Sequence, residues 1–257
     1  MTANKMLHAV YRVGHLGATG KFLEALGMKL LRERDVPSEK YTNAFYGYGP
    51  EQKGEHFSLE LTYNYGVESY DIGTGFGNFG VAVEDAHTTV ERVRQAGFKV
   101  TREVGPVKDP TGYKFEIIQR QQRDPLCQIM LRVTDLDKSI AFYEAMGMQV
   151  LRKRDNPDYK YTLAFMGFGP EADNTVLELT YNYGENTYSA GNGYAQIAVS
   201  TPNVYEAAEQ MKKVGIQLTR EPGPVPGIGT KICAVRDPDG WKTVLVDAED
   251  FEKEFEE

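Results

Sequence analysis

Eight positions of this chain could do chemistry together, four in each half. The first half offers His8, Glu60, Asn78 and Glu116, and the second offers Gln128, Glu178, Gln196 and Val244 at the matching places. Imidazole, carboxylate and amide oxygen are donors for a divalent metal. Each of the eight falls on a segment predicted to be a β-strand, in the same register of its own repeat. Strands alternate their side chains, so four strands curved around a cavity could each aim one residue inward. Val244 is the exception in kind, because a hydrocarbon side chain neither ligates a metal nor takes a proton.

The matching rests on an internal repeat. GMKLLRERDVPSEKYTNAFYGYGPE from Gly27 answers GMQVLRKRDNPDYKYTLAFMGFGPE from Gly147, and LELTYNYG occurs at Leu59 and again at Leu177. TREVGPV at Thr101 answers TREPGPV at Thr219, and DPTGYK at Asp109 answers DPDGWK at Asp237. The copies differ by two residues near Gln52–His56 and by ten further on, where PGIGTKICAVR (Pro226–Arg236) faces only Lys108. The segment TKICAVRD alternates and is β-branched, as a strand should be. The first half is therefore expected to lack a strand that the second keeps.

The elements that must position these residues follow from periodicity. Leu7–Val13 reads as a strand and Thr19–Leu26 as a short helix ended by Gly27, followed by strands near Lys29–Arg34, Tyr41–Tyr46 and Ser58–Tyr63. A glycine-rich turn leads into another strand, and Thr88–Ala96 is an amphipathic helix stopped by Gly97. Strands are expected near Phe98–Arg102 and Tyr113–Gln119. The second half repeats this order, with helices near Leu136–Met146 and Val204–Val214. The result is an α+β chain of four strand–helix–strand–strand–strand units. They form two tandem domains, residues 1–120 and 126–257, joined by a polar linker at 121–125. The acidic Phe251–Glu257 segment is expected to be a terminal helix turn at a solvated end.

Composition narrows the function. The chain has 257 residues, 41% hydrophobic and 26% charged, with a net charge of −8. These values suit an ordinary globular protein and lack the basic stripe of a nucleic-acid binder. No apolar run approaches the roughly 18 residues of a membrane span. The N-terminal MTANKMLHAVYRV has no signal-peptide core, which suggests a cytoplasmic protein, or a plastid one if a transit peptide has been removed. Cys127 and Cys233 read as buried thiols of a reducing compartment.

The motifs QIMLRV, LELTYNYG, TREPGPV and DPDGWK, with the GxGxFxxxV pattern, resemble glyoxalase I in its fused two-domain plant form, a member of the vicinal oxygen chelate superfamily. The resemblance covers essentially the whole chain. It implies paired βαβββ modules in a pseudo-twofold monomer, with each metal site shared between the two domains. One site would then comprise Gln128, Glu178, Asn78 and Glu116, and the other His8, Glu60, Gln196 and Val244. The resemblance further implies one divalent metal (zinc or nickel, with manganese or cobalt as alternatives) and the methylglyoxal–glutathione hemithioacetal as substrate. Glu116 would be the base that removes the carbon-bound proton, and Glu178 a ligand and partner. Arg132 and Asn182 would hold glutathione, with Arg12 and Asn64 as their twins in the other site.

The chain departs from the family pattern twice in the site that should work. Asn78 replaces a histidine, and the strand before Glu116 is missing. Both are expected to weaken the chemistry. Bland readings stand beside the sharp ones: His8 as a satisfied core histidine, Asn78 as a turn residue after Gly77. A degenerate relative that binds glutathione conjugates, or serves as a structural subunit of a larger assembly, is the alternative to an enzyme. An extradiol dioxygenase of the same superfamily would need two His and a Glu within one domain, and the second half has no His.

Overall fold

Both halves of the chain contribute to each of two mixed β-sheets. The computed structural model describes residues 4–100 and 105–256. The first half runs β1 (Lys5–Arg12), α1 (Leu16–Ala25), β2 (Lys29–Val36), β3 (Tyr41–Gly47), β4 (Ser58–Asn64), β5 (Phe76–Val83), α2 (Ala86–Gln95), β6 (Val107–Lys108) and β7 (Lys114–Gln119). The second runs β8 (Leu126–Val133), α3 (Leu136–Ala145), β9 (Gln149–Asn156), β10 (Tyr161–Gly167), β11 (Val176–Asn182), β12 (Tyr194–Thr201), α4 (Val204–Lys213), β13 (Leu218–Pro224), β14 (Lys231–Arg236), β15 (Lys242–Asp247) and α5 (Ala248–Lys253).

Sheet one has the order β13-β14-β15-β12-β1-β4-β3-β2, and sheet two the order β6-β7-β5-β8-β11-β10-β9. Each therefore joins the opening module of one half to the closing module of the other. The seams are antiparallel: Ala9 faces Ile197 across β1–β12, and Phe79 faces Ile129 across β5–β8. Aromatic rings from both sheets pack between them. Tyr11 and Tyr113 lie 4.5 Å apart by centroid, and Phe76 stacks on Tyr194 at 5.2 Å. The α+β architecture of paired βαβββ modules matches the expectation.

Local sequence explains where the helices start and stop. Side chains of Asp85, Asp135 and Asn203 accept the N–H of Thr88 (3.0 Å), Lys138 (3.1 Å) and Tyr205 (3.0 Å), capping α2, α3 and α4. α1 to α4 each end just before a glycine of positive φ: Gly27 (96°), Gly97 (90°), Gly147 (89°) and Gly215 (81°). That left-handed position costs a glycine little and other residues more.

Three expectations need correction. The absent strand is reduced rather than lost: β6 keeps two residues, with Val107 opposite Phe115, where β14 runs six residues beside β15. The strand expected near Phe98–Arg102 does not form over residues 98–100, and residues 101–104 lie outside the described ones. Its counterpart β13 pairs only with β14, so truncating that partner removes its ladder. The acidic tail is not a solvated end either. α5 buries Phe251 to 3% exposure in a small cluster with Leu7, Ala198 and Val244.

Candidate functional site

Four adjacent strands of sheet two, β7, β5, β8 and β11, carry Glu116, Asn78, Gln128 and Glu178. Register brings them close. Gly80 of β5 lies opposite Glu116 on one side and Gln128 on the other. Asn78 lies opposite Met130, which lies opposite Glu178. The gap between Glu116 and Gln128 exists because Gly80 has no side chain; a Cβ there would stand 2.2 Å from Gln128 Cγ.

Amide–carboxylate contacts join the four in two pairs. Gln128 Nε2 donates to Glu178 Oε2 at 2.8 Å, and Asn78 Nδ2 donates to Glu116 Oε2 at 3.4 Å. Thr180 Oγ1 donates to Glu178 Oε1 at 3.3 Å. Glu178 is 7% exposed, and burial pushes its carboxyl up to about 7, with the charge of Glu116 adding to the rise. Beneath it, Arg152 stacks 3.3 Å over the Phe165 ring and pairs with Glu171 at 2.7 Å, and Arg120 joins Glu171 at 3.1 Å.

Glu116, Gln128 and Glu178 open onto a cleft of about 560 Å³ that Arg132 and Asn182 also line. Arg132 Nη1 is held by the carbonyls of Thr74 (2.9 Å) and Phe76 (3.0 Å), and Asn182 Nδ2 by the hydroxyl of Tyr188 (2.8 Å). Asn78 is buried at 7% and is not on the cleft wall. The shortened β6 shows here directly. Glu116 is exposed, whereas Val244, at the same place beside a full β14, is 3% exposed.

The donor set suits a cation. Two carboxylates repel one another, and amide N–H groups offset part of their charge. Rotating those amides would present oxygen instead, since amide O and N are nearly isosteric. The four side chains then offer oxygen only, which favours hard ions such as Mn²⁺ or Mg²⁺ over Zn²⁺ or Ni²⁺. Among the described residues, no three His, Cys, Asp or Glu side chains gather as a ready-made site, so the amides are needed to complete it.

The second group lies together in sheet one and is closed. His8 Nε2 sits 3.3 Å from Glu60 Oε2, and Asn43 Nδ2 donates to Glu60 Oε1 at 2.5 Å. The side chains of His8 and Glu60 are 10% and 13% exposed. Burial and then Arg32 lower His8 to about 3, while burial raises Glu60 to about 7. At neutral pH the imidazole is therefore uncharged. The rings of Phe45 (5.7 Å) and Phe251 (6.1 Å) flank it. Arg32 stacks 3.6 Å over Phe45 and pairs with Glu51 (2.9 Å) and Glu254 (3.0 Å), so α5 and the residues after it seal this side. Gln196 is half-buried on β12, opposite Val10, and Val244 faces Ala198. Arg12 Nη1 donates to the Asn192 carbonyl (2.8 Å), and Asn64 Nδ2 to Tyr70 (2.8 Å). The Glu60 carboxylate is held on both oxygens by His8 and Asn43, although His8 Nδ1 and Asn43 Oδ1 are buried without a partner, and Val244 offers no donor.

Sequence reasoning missed Gly80. Its twin is Ala198, 1% exposed and opposite both His8 and Val244. The open site thus has a hydrogen where the closed one has a methyl group. The signal was present in GFGNFGVAV against GYAQIAVS.

The profile of the Glyoxalase/Bleomycin resistance protein/Dioxygenase superfamily matches residues 5–125 and again 126–245. The chain belongs to the glyoxalase family. It is 61% identical to a probable chloroplastic lactoylglutathione lyase of Arabidopsis thaliana, with 98% of this chain and 75% of that protein covered. It is 56% identical to a lactoylglutathione lyase of Oryza sativa, with 98% and 92% covered. The crystal structure of glyoxalase I from Zea mays superposes with a TM-score of 0.93 at 55% identity, covering 98% of this chain and 95% of that one. The two-domain form of this family accounts for the repeat and for the sheets shared between the halves.

Proposed function

We propose that this chain is a lactoylglutathione lyase that works at the Glu116–Glu178 cleft, on the hemithioacetal of methylglyoxal and glutathione. The observation that carries this reading is the set of two carboxylates and two amides on four adjacent strands, with both carboxylates opening onto a cleft that Arg132 and Asn182 also line. The reaction needs a base beside a carbonyl and no redox partner. The Glu116 carboxylate takes the proton from the carbon bearing sulfur, and the electron pair of that bond moves onto the adjacent carbonyl. Glu116 then returns the same proton to the neighbouring carbon, and the hydroxyl proton of the sulfur-bearing carbon passes to the oxygen of that neighbour, leaving the thioester carbonyl and secondary alcohol of S-lactoylglutathione. Gln128, Glu178, Glu116 and Asn78 would hold a divalent cation, which stabilises negative charge developing on the substrate's oxygens. Glu178 contributes a second carboxylate, and Arg152 beneath it supplies a counter-charge. Arg132 and Asn182 orient the glutathione part, so the reacting carbon stays within reach of Glu116.

The group around His8, Glu60, Gln196 and Val244, with Arg12 and Asn64, is read as silent. The alternative of a degenerate binder has no support from the relatives, which carry lyase names. Both sheets close within one chain, which supports a monomer with an internal pseudo-dimer. The similarity to a chloroplastic relative supports a plastid location. The test is turnover of the hemithioacetal by chelator-stripped protein reloaded in turn with Mg²⁺, Mn²⁺, Co²⁺, Ni²⁺ and Zn²⁺. Formation of the thioester is expected with at least one ion. Absence of product with all five would overturn the reading.

A further inference from the structure

Four arginines line the cleft: Arg120, Arg132, Arg152 and Arg154. Two are neutralised. Arg120 and Arg152 pair with Glu171, whereas Arg132 is oriented through Nη1 by the carbonyls of Thr74 and Phe76 and keeps its charge unpaired. Among the described residues, the guanidinium of Arg154 has no ion pair and no hydrogen bond, and the residue is exposed. An uncommitted cation on a cleft wall is free to meet an anionic ligand.

Register fixes where it stands. Arg154 of β9 lies opposite Leu163 of β10, Leu163 opposite Thr180 of β11, and Thr180 opposite Arg132 of β8. One cross-strand row therefore has an arginine at each end, with Leu163 and Thr180 between. The next row, Arg152–Phe165–Glu178–Met130, holds the carboxylate of the candidate site. Three interstrand steps of about 4.8 Å put Arg154 and Arg132 about 14 Å apart at the backbone. A tripeptide extends over about 10 Å, so arginine side chains from the two ends of the row could span it.

We infer that Arg154 is a substrate-specificity residue. It anchors one carboxylate of the glutathione part, at the end opposite the one held by Arg132. Glutathione carries a carboxylate at each end, and a guanidinium fork matches a carboxylate in two parallel hydrogen bonds. The inference rests on the lyase reading above. The silent half shows what the row looks like when this use is gone. There Arg34, the twin of Arg154, lies opposite Asn43 rather than a leucine, its Nε is buried, and its charge acts on Glu60.

The test compares Arg154→Ala, Arg154→Lys and Arg34→Ala with the wild type. It reads steady-state kinetics on the hemithioacetal and calorimetric binding of S-methylglutathione. Arg154→Ala should raise KM and weaken S-methylglutathione binding by roughly tenfold, as loss of a charge-assisted contact does, while kcat changes by less than about twofold. Arg154→Lys, which keeps the charge without the fork, should fall between, and Arg34→Ala should leave KM and binding unchanged. Unaltered binding in Arg154→Ala would overturn the inference, as would an equal loss in Arg34→Ala. A wild type that binds S-methylglutathione without turning over the hemithioacetal would remove the lyase reading alone, and the binding comparison would still decide the role of Arg154.

Discussion

On the proposed reading, Asn78 would govern which ion the open site holds. With Gln128, Glu116 and Glu178 it offers only oxygen, whereas an imidazole there would add a nitrogen donor that borderline ions prefer. Asn78→His should tighten Zn²⁺ and Ni²⁺ by at least about tenfold, measured by competition with a chromophoric chelator; unchanged affinity would place the defect in the strand beside Glu116 instead. Glu60 makes a different point. Burial raises its carboxyl to about 7, so the folded protein holds a proton that the unfolded chain releases near its ordinary 4.5. Stability attached to that proton is full below the lower value and lost as pH rises through the window to about 7. Glu60→Gln cannot lose a proton, and its amide can still bond His8. Its melting temperature relative to wild type should rise between about pH 5 and about pH 8. An equal difference at both ends would mean that Glu60 is not protonated in the fold.

Two short elements set the contrast between the halves. Reducing β14's counterpart to the two residues of β6 leaves Glu116 exposed. Replacing Lys108 by the Pro226–Arg236 sequence should re-cover that edge, raising both thermal stability and kcat. Proton-transfer steps gain steeply from a held base, so roughly a tenfold gain in kcat is expected; a rise in melting temperature without one would show that Glu116 is already well placed. α5 acts in the opposite sense, closing the His8–Glu60 group with Phe251. Phe251→Ala should cost about 3–5 kcal/mol in denaturant unfolding and leave KM unchanged, because the open cleft lies in the other sheet. Much of this was legible in the letters. Repeat, alternation and glycine stops placed most strands and α1 to α4 within a few residues, and twin comparison separated Glu116 from Val244. Three features were not. The acidic end is legible as a helix turn, but not that the one buried ring of α5 closes over His8. The exposure of Glu116 depends on a neighbour that is absent. Arg154 looks like any charged strand residue until register sets it opposite Arg132.

At the scale of the whole molecule, neither half owns a complete sheet. The β1–β12 seam joins Lys5 to Ser200, and the β5–β8 seam joins Phe79 to Ile129. Each half alone would expose the seam edges of two partial sheets, together with the aromatic rings that pack between them. Residues 1–120 or 121–257 expressed separately should therefore be insoluble or unfolded by circular dichroism, whereas co-expression should yield a soluble pair that melts in one transition. A folded half in isolation would contradict the shared-sheet account. The same seam has a consequence for biosynthesis. At the ribosome, β1 emerges first and β12 nearly two hundred residues later, so at about 5–20 residues per second the opening strand waits on the order of ten seconds or more for its partner. During that interval its free edge is a template for unwanted pairing. Folding of the N-terminal module thus finishes only after most of the polypeptide has been made, and this nascent chain needs a holding chaperone more than a protein built from two self-contained domains would.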